Sequence, residues 1–296
     1  MLSVVKSMAL HGLDGYLVQV QVDVSSGLPA WEMVGLPDTS VKESKERVKT
    51  AIKNAGEEFP SRKIVVNLAP AYTKKEGSFF DLAIAVGILV ATEKIIDLGL
   101  ENTMFLGELF LDGTISKVNG ILPMCIEAAK MGIKRVVVPK ENAKEAAIVK
   151  DLEVIPAENL MQLIRYLNGE EKIERQTVNI EELFDQNKSY KIDFSEVKGQ
   201  ENIKRALEIA AAGAHNCLLI RKSTDRGKTM LARRIPTILP DLNFEEALEI
   251  TKIHSIAGNI EKDNSLIVSR PFRSPHHTVS GASLIGGGRI PKPRRN

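Results

Sequence analysis

The sequence predicts an α/β protein built from two domains, and three observations carry that expectation. Residues 1–168 alternate strand-like and helix-like apolar patterns, as interleaved sheet and helices do. Residues 169–192 are rich in charge and poor in apolar side chains, the composition of a linker. Beyond them, Cys217-Leu218-Leu219-Ile220 runs into Lys222-Ser223-Thr224-Asp225-Arg226-Gly227-Lys228-Thr229. The pattern Met230-Leu231-Ala232-Arg233-Arg234-Ile235 runs out of it. Strand, loop and helix in that order are the setting of a phosphate-binding loop.

In the first domain, Val18 to Val24 alternates apolar and polar residues, which predicts a half-buried strand. A helix is expected from Ser40, with Glu43 completing a capping box and Val41, Val48, Ile52 and Ala55 on one face. Gly56 ends it. Lys63 to Leu68 reads as a strand and Phe80 to Ala91 as an apolar core helix. Met104 to Leu111 follows as a strand turning at Asp112-Gly113, then a helix over Ile121 to Met131 and a strand over Arg135 to Val138. Helices over Glu141 to Val149 and Asn159 to Leu167 close the domain. The second domain opens at Asp193-Phe194-Ser195, and its first helix runs from Glu201 to Ala212.

Composition sets outer bounds. The chain has 296 residues, 43% hydrophobic and 26% charged, an ordinary globular balance. A net charge of +2 neither demands nor excludes a nucleic-acid partner. The two cysteines, Cys125 and Cys217, sit in apolar helix and strand patterns. They are expected as buried, reduced thiols and not as a disulfide. No long apolar segment opens the chain, and the run Leu82 to Ala91 is too short to span a bilayer. The expectation is a cytoplasmic protein with no membrane partner.

A working phosphate loop wraps the anion with backbone N–H groups, uses glycine where φ is positive, and ends in a lysine and a hydroxyl. Gly227, Lys228 and Thr229 preserve that end: Lys228 to reach phosphates, Thr229 to hold magnesium. Lys222 replaces the first glycine, and Asp225 puts negative charge where a triphosphate would lie, with Arg226 beside it. Two readings follow. The loop binds nucleotide weakly through Lys228 and Thr229, or it no longer closes on phosphate; the second is favoured.

Several segments resemble one family along nearly the whole chain. They are Val34-Gly35-Leu36-Pro37-Asp38, Val66-Asn67-Leu68-Ala69-Pro70, Lys74-Lys75-Glu76-Gly77-Ser78, Phe105-Leu106-Gly107-Glu108-Leu109 and Pro139-Lys140-Glu141-Asn142-Ala143. In the second domain they are Val197-Lys198-Gly199-Gln200, Gly227-Lys228-Thr229-Met230-Leu231-Ala232 and Arg270-Pro271-Phe272-Arg273-Ser274-Pro275-His276-His277-Thr278. Together these resemble the magnesium-chelatase-like AAA+ ATPases of the YifB/ComM type. The resemblance implies a Lon-protease-like (ribosomal-protein-like) α/β fold for residues 1–168. For residues 193–296 it implies the first part of a P-loop AAA+ domain, truncated before the strand whose carboxylates organise magnesium. It further implies ATP and magnesium as cofactors, DNA as partner, and a homo-hexamer or a full-length family partner. The function implied is DNA processing by branch migration in natural transformation. Hydrolysis by this chain alone is not expected, because positioned charges around the γ-phosphate supply most of the rate. The alternative is a non-catalytic remnant or assembly module.

Three further features have sharper and plainer readings. Ser78 beside Lys74 and Lys75 suggests a Ser–Lys dyad, but in Lon-type proteases the serine stands two residues after the glycine, where this chain has Phe79. A structural turn into the helix is the stronger reading. His276 and His277 are adjacent, so on an extended segment they face opposite ways and make poor joint metal ligands. With Arg270 and Arg273 they are possible DNA-facing residues by resemblance. The basic end, Arg289 to Asn296, carries no aromatic residue for base stacking and reads as a solvated terminus.

Overall fold

The computed structural model describes residues 1–96, 99–186, 192–220, 227–260, 265–275 and 278. The chain divides into two units. Met1–Val178 and Lys252–Ser265 form the first; Asn179–Thr251 and the described residues from Leu266 onward belong to the second.

The first unit is organised by strands β1 (Leu2–His11), β2 (Asp14–Ser25), β3 (Ala30–Val34), β4 (Lys63–Ala69) and β5 (Thr103–Phe105). The pair β6 (Glu108–Leu109) and β7 (Ile115–Ser116) and strands β8 (Arg135–Pro139) and β9 (Glu153–Ala157) follow. Seven of these strands make one sheet in the order β3-β4-β2-β1-β5-β8-β9, with β6 and β7 as a separate ribbon. β1 pairs antiparallel with β2 in the register Val5 to Val20, and β2 pairs antiparallel with β4 in the register Val22 to Val66. The remaining neighbours, β3 with β4, β1 with β5, β5 with β8 and β8 with β9, are parallel. The sheet is therefore mixed and mostly parallel. On β2 the pleat sends Val18, Val20, Val22 and Val24 inward, and on β4 it sends Ile64, Val66 and Leu68 inward, which is what period-two alternation requires.

Short helix α1 (Thr39–Lys42) leads into α2 (Ser44–Asn54), and α3 (Asp81–Ala91) follows β4. Every residue of α3 is buried, as a helix apolar all round must be. It packs on β1, β2 and α2. α4 (Ile121–Lys130), α5 (Ala143–Ala146) and α6 (Leu160–Leu167) complete the layers. A second cluster around Met8, Met104, Ile121, Cys125, Val136 and Val154 fills the space under α4 and α5.

Several details differ from the sequence reading. The helix cap is Asp38, not Ser40: its Oδ1 accepts from the Val41 amide at 2.9 Å, and Ser40 donates its own hydroxyl to Asp38 at 2.8 Å. A carboxylate at this position holds an orphan helix amide and the Ser40 hydroxyl at once. The strand expected from Met104 to Leu111 is broken at Gly107, where an added Cβ would stand 2.7 Å from Ile115. Strands β1, β3 and β9 stand where no strand was expected. Residues 169–186 carry α7 (Ile180–Gln186), and the Gln176 amide donates to the Val154 carbonyl at 2.9 Å.

In the second unit lie α8 (Glu201–Ala212), α9 (Gly227–Arg234) and the start of α10 (Phe244–Ile256). Phe194, Val197, Leu207 and Leu231 form its small core. The strand expected over Cys217–Ile220 is not formed. All described strands lie in the first unit, and Leu218 and Ile220 are 83% and 84% exposed. An apolar run of this length makes a strand only when neighbours take its backbone groups, and no described residue does so. Cys217 is exposed and not buried, for the same reason; Cys125 is buried as expected.

Candidate functional site

The phosphate-loop residues divide at a helix start. Gly227, Lys228 and Thr229 are the first three residues of α9, so their amides lie in the turn that has no intrahelical partners. Lys228 is half-buried and Thr229 exposed. The helix is anchored at its other end: Arg234 donates to the Asp193 carbonyl at 3.0 Å and pairs with Glu196 at 2.6 Å. Leu231 turns into the core beside Leu207. Residues 221–226, with Lys222, Asp225 and Arg226, lie outside the described residues.

The proposed DNA-facing residues are not all in one state. Arg270 donates through Nε to the Pro240 carbonyl at 2.7 Å and lies 3.5 Å from Glu246. Its guanidinium thus holds the following segment against the start of α10. Arg273 is exposed. Phe272, 41% exposed between them, is an aromatic that the sequence reading did not single out. His276 and His277 lie outside the described residues, and no described group of His, Cys, Asp and Glu is placed to hold a metal ion.

In the first unit, the Lys74-Lys75-Glu76-Gly77-Ser78 segment forms a tight corner. Lys75 is fully buried, and its ammonium donates to the carbonyls of Pro70 and of Thr73, the latter at 2.8 Å. Its backbone bridges Leu36 and Asp38. The Phe79 ring lies 4.6 Å from that of Phe80 and fills the space a Cβ on Gly77 would need. Lysine, glycine and aromatic therefore all have structural partners, which is the plainer of the two readings.

Below this corner is a charged pair that the sequence reading passed over. Asp81 opens the otherwise apolar α3 with a side chain 1% exposed. Arg47 grips it with two bonds, Nε to Oδ2 at 2.6 Å and Nη2 to Oδ1 at 3.0 Å, and donates to the Ser40 carbonyl at 2.9 Å. Burial pushes the Asp81 carboxyl up to about 6, although Arg47 pulls the other way. The only signal in the sequence was a lone carboxylate at the head of a wholly apolar run.

Comparison with known proteins places these features. The family profile described as subunit ChlI of Mg-chelatase matches residues 20–142, and a second, magnesium chelatase subunit ChlI, matches residues 193–295. The competence protein ComM of Haemophilus influenzae is 40% identical over 293 residues, 99% of this chain and 57% of its own length. YifB of Escherichia coli is 42% identical over 292 residues, 99% of this chain and 56% of its own. The chain thus spans little more than half the length of these relatives. Lon protease 2 of Bacillus subtilis is 28% identical over 170 residues, 51% of this chain and 30% of its own length, in support of a Lon-like domain. With chelatase profiles on both segments and this identity running from end to end, the chain belongs to the magnesium-chelatase-like AAA+ family of the YifB/ComM type.

Proposed function

We propose that this chain is the Lon-like and nucleotide-binding part of a DNA-processing subunit of the ComM kind, in which Lys228 and Thr229 hold ATP and magnesium. The observation that carries the reading is the chelatase match over residues 193–295 together with Gly227-Lys228-Thr229 at the start of a helix. The donor set fits the group in kind. A helix N-terminus offers free amides and the positive end of its dipole to an anion, Lys228 adds a cation, and the Thr229 hydroxyl is a hard oxygen ligand suited to magnesium. ATP, when bound, supplies phosphoryl-transfer free energy. This chain's part is to orient the phosphates. Asp225 opposes that, so the affinity is expected to be low. DNA as partner and assembly into a ring of six rest on the relation to ComM and belong to the same proposal.

A second reading, a non-catalytic assembly module, has its own support in the exposure of Leu218 and Ile220, which belong to no sheet among the described residues. Equilibrium titration of the purified chain with ATP and magnesium separates the two. Saturable binding that disappears in Lys228→Ala supports the nucleotide reading. Absence of binding, or binding indifferent to Lys228→Ala, refutes it and leaves the assembly module.

A further inference from the structure

Glu145, on α5, is a buried carboxylate for which the proposed nucleotide chemistry has no use. Its Oε1 accepts from the Leu122 amide at 3.1 Å and from the Ser255 hydroxyl, and its Oε2 from Asn142 Nδ2 at 3.3 Å. Asn142 lies on the same turn of chain as Glu145, and Leu122 at the start of α4, but Ser255 comes from the last turn of α10, within the Lys252–Ser265 segment of the first unit. The same segment is held at three more points. The Gly120 amide donates to the Ser255 carbonyl at 3.0 Å, and Lys117 Nζ donates to the Ile260 carbonyl at 2.8 Å. Gly258, with φ +72°, lies so close to Asn119 that a Cβ would stand 2.9 Å from its Nδ2. Residues 117–122, at the entry to α4, with Asn142 and Glu145 are thus a built receptor, and the turn 255–260 is its occupant.

We propose that the turn 255–260 is a detachable strap, which closes over Glu145 and opens without unfolding of the sheet. Closure gives the carboxylate a third hydrogen bond and removes it from water. Burial raises the Glu145 carboxyl above its ordinary range, against the donors and the nearby Lys117 cation, so the charged group opposes its own enclosure. The closed state is therefore a balance between a desolvated charge and four specific contacts. Such a balance makes a segment open locally, below the free energy of global unfolding. By the family match, the strap belongs to the same stretch as Lys228, residues 193–295. The strap itself does not depend on whether nucleotide binds.

Native-state hydrogen exchange on the full chain tests this. The Gly120 amide reports closure directly, because its acceptor belongs to the strap; Val20 and Leu68 amides report global unfolding. In the unmodified protein, Gly120 is expected to exchange faster than Val20 and Leu68. Ser255→Ala, which removes one hydrogen bond to a buried carboxylate, should speed Gly120 exchange about tenfold. Gly258→Val, which cannot seat against Asn119, should do so by more. Both substitutions raise the free energy of the closed state itself, so Val20 and Leu68, which report unfolding from that state, should speed by no more than the same factor and remain slower than Gly120. The proposal is overturned if Gly120 exchanges only together with the core amides, in the unmodified protein or in the variants, or if both substitutions leave Gly120 unchanged.

Discussion

Replacing Arg47 by methionine should destabilise the protein in a way that grows with pH. Methionine keeps most of the aliphatic stem but removes both bonds to Asp81 and the bond to the Ser40 carbonyl. Loss of the Ser40 contact is independent of pH and costs about 1 kcal/mol. The charge part is different, because Asp81 can take up a proton. Its carboxyl already titrates at about 6 with Arg47 present, and without Arg47 it titrates higher still. A carboxyl whose folded pKa is raised contributes stability that is complete below its unfolded pKa and is lost as pH rises through the folded value. In the native protein that loss ends near pH 6; in Arg47→Met it continues upward. The gap between the two proteins therefore widens by at most about 1.4 kcal/mol for each pH unit above 6. The expected difference is about 1 kcal/mol at about pH 5, rising to about 2 at about pH 7 and about 4 at about pH 8. Urea unfolding of both proteins at these three values measures it, and the further substitution Asp81→Asn in the Arg47→Met background should flatten the profile. A gap of equal size at the lowest and highest pH would refute the assignment of burial and pairing to Asp81.

Two other outcomes follow from the described geometry. Gly35 has φ +96°, and a Cβ there would lie 2.2 Å from the Leu68 carbonyl oxygen, whereas Gly56, with φ +88°, meets nothing within 4 Å. Urea unfolding should therefore find Gly56→Ala costing about 1 kcal/mol, the price of left-handed backbone alone. Gly35→Ala should cost about 3 or more, because strand β4 must move; equal costs would contradict the close approach of Gly35 to β4. Limited digestion with thermolysin, which cuts before large apolar residues, should cleave first at Leu218, Leu219 or Ile220 and spare residues 1–167. A first cut inside β1 to α6 would overturn the contrast drawn between the two units.

How far the sequence revealed this molecule depended on how locally each signal was written. Val18 to Val24 and Lys63 to Leu68 were legible because one face of each strand is buried and the other is not, so polarity alternates. β1 was less plain: Ser3 and Ser7 point inward and spend their hydroxyls on the Gly87 and Phe105 carbonyls, at 2.7 Å and 3.0 Å. Polar residues on the inner face erase the alternation, and their partners lie far along the chain. β9 is short and ends in Pro156-Ala157, which reads as loop until its parallel neighbour β8 is known. At the candidate site, Gly227-Lys228-Thr229 and the helix that follows were readable from spacing alone. The fate of Cys217–Ile220 was not, because an apolar run says that burial is favourable and is silent on whether a partner strand exists. Arg47 with Asp81, and Glu145 with Ser255, are joined across long stretches of chain, and no periodicity announces such pairs.

The position of β1 also bears on how the molecule is made. It precedes the other described strands in the chain, yet it lies in the interior of the sheet, between β2 and β5. Its antiparallel neighbour follows at once, and β2 and β4 extend that side by Ala69. Its other neighbour begins only at Thr103. During synthesis of the intervening residues, a few seconds at about 5–20 residues per second, one edge of β1 stays open to wrong partners. The helix made within that interval is α3, which packs on β1 and β2. α3 can therefore cover a half-built sheet before β5, β8 and β9 arrive, and substitutions along it should lower the yield of folded chains beyond what their effect on the finished protein accounts for.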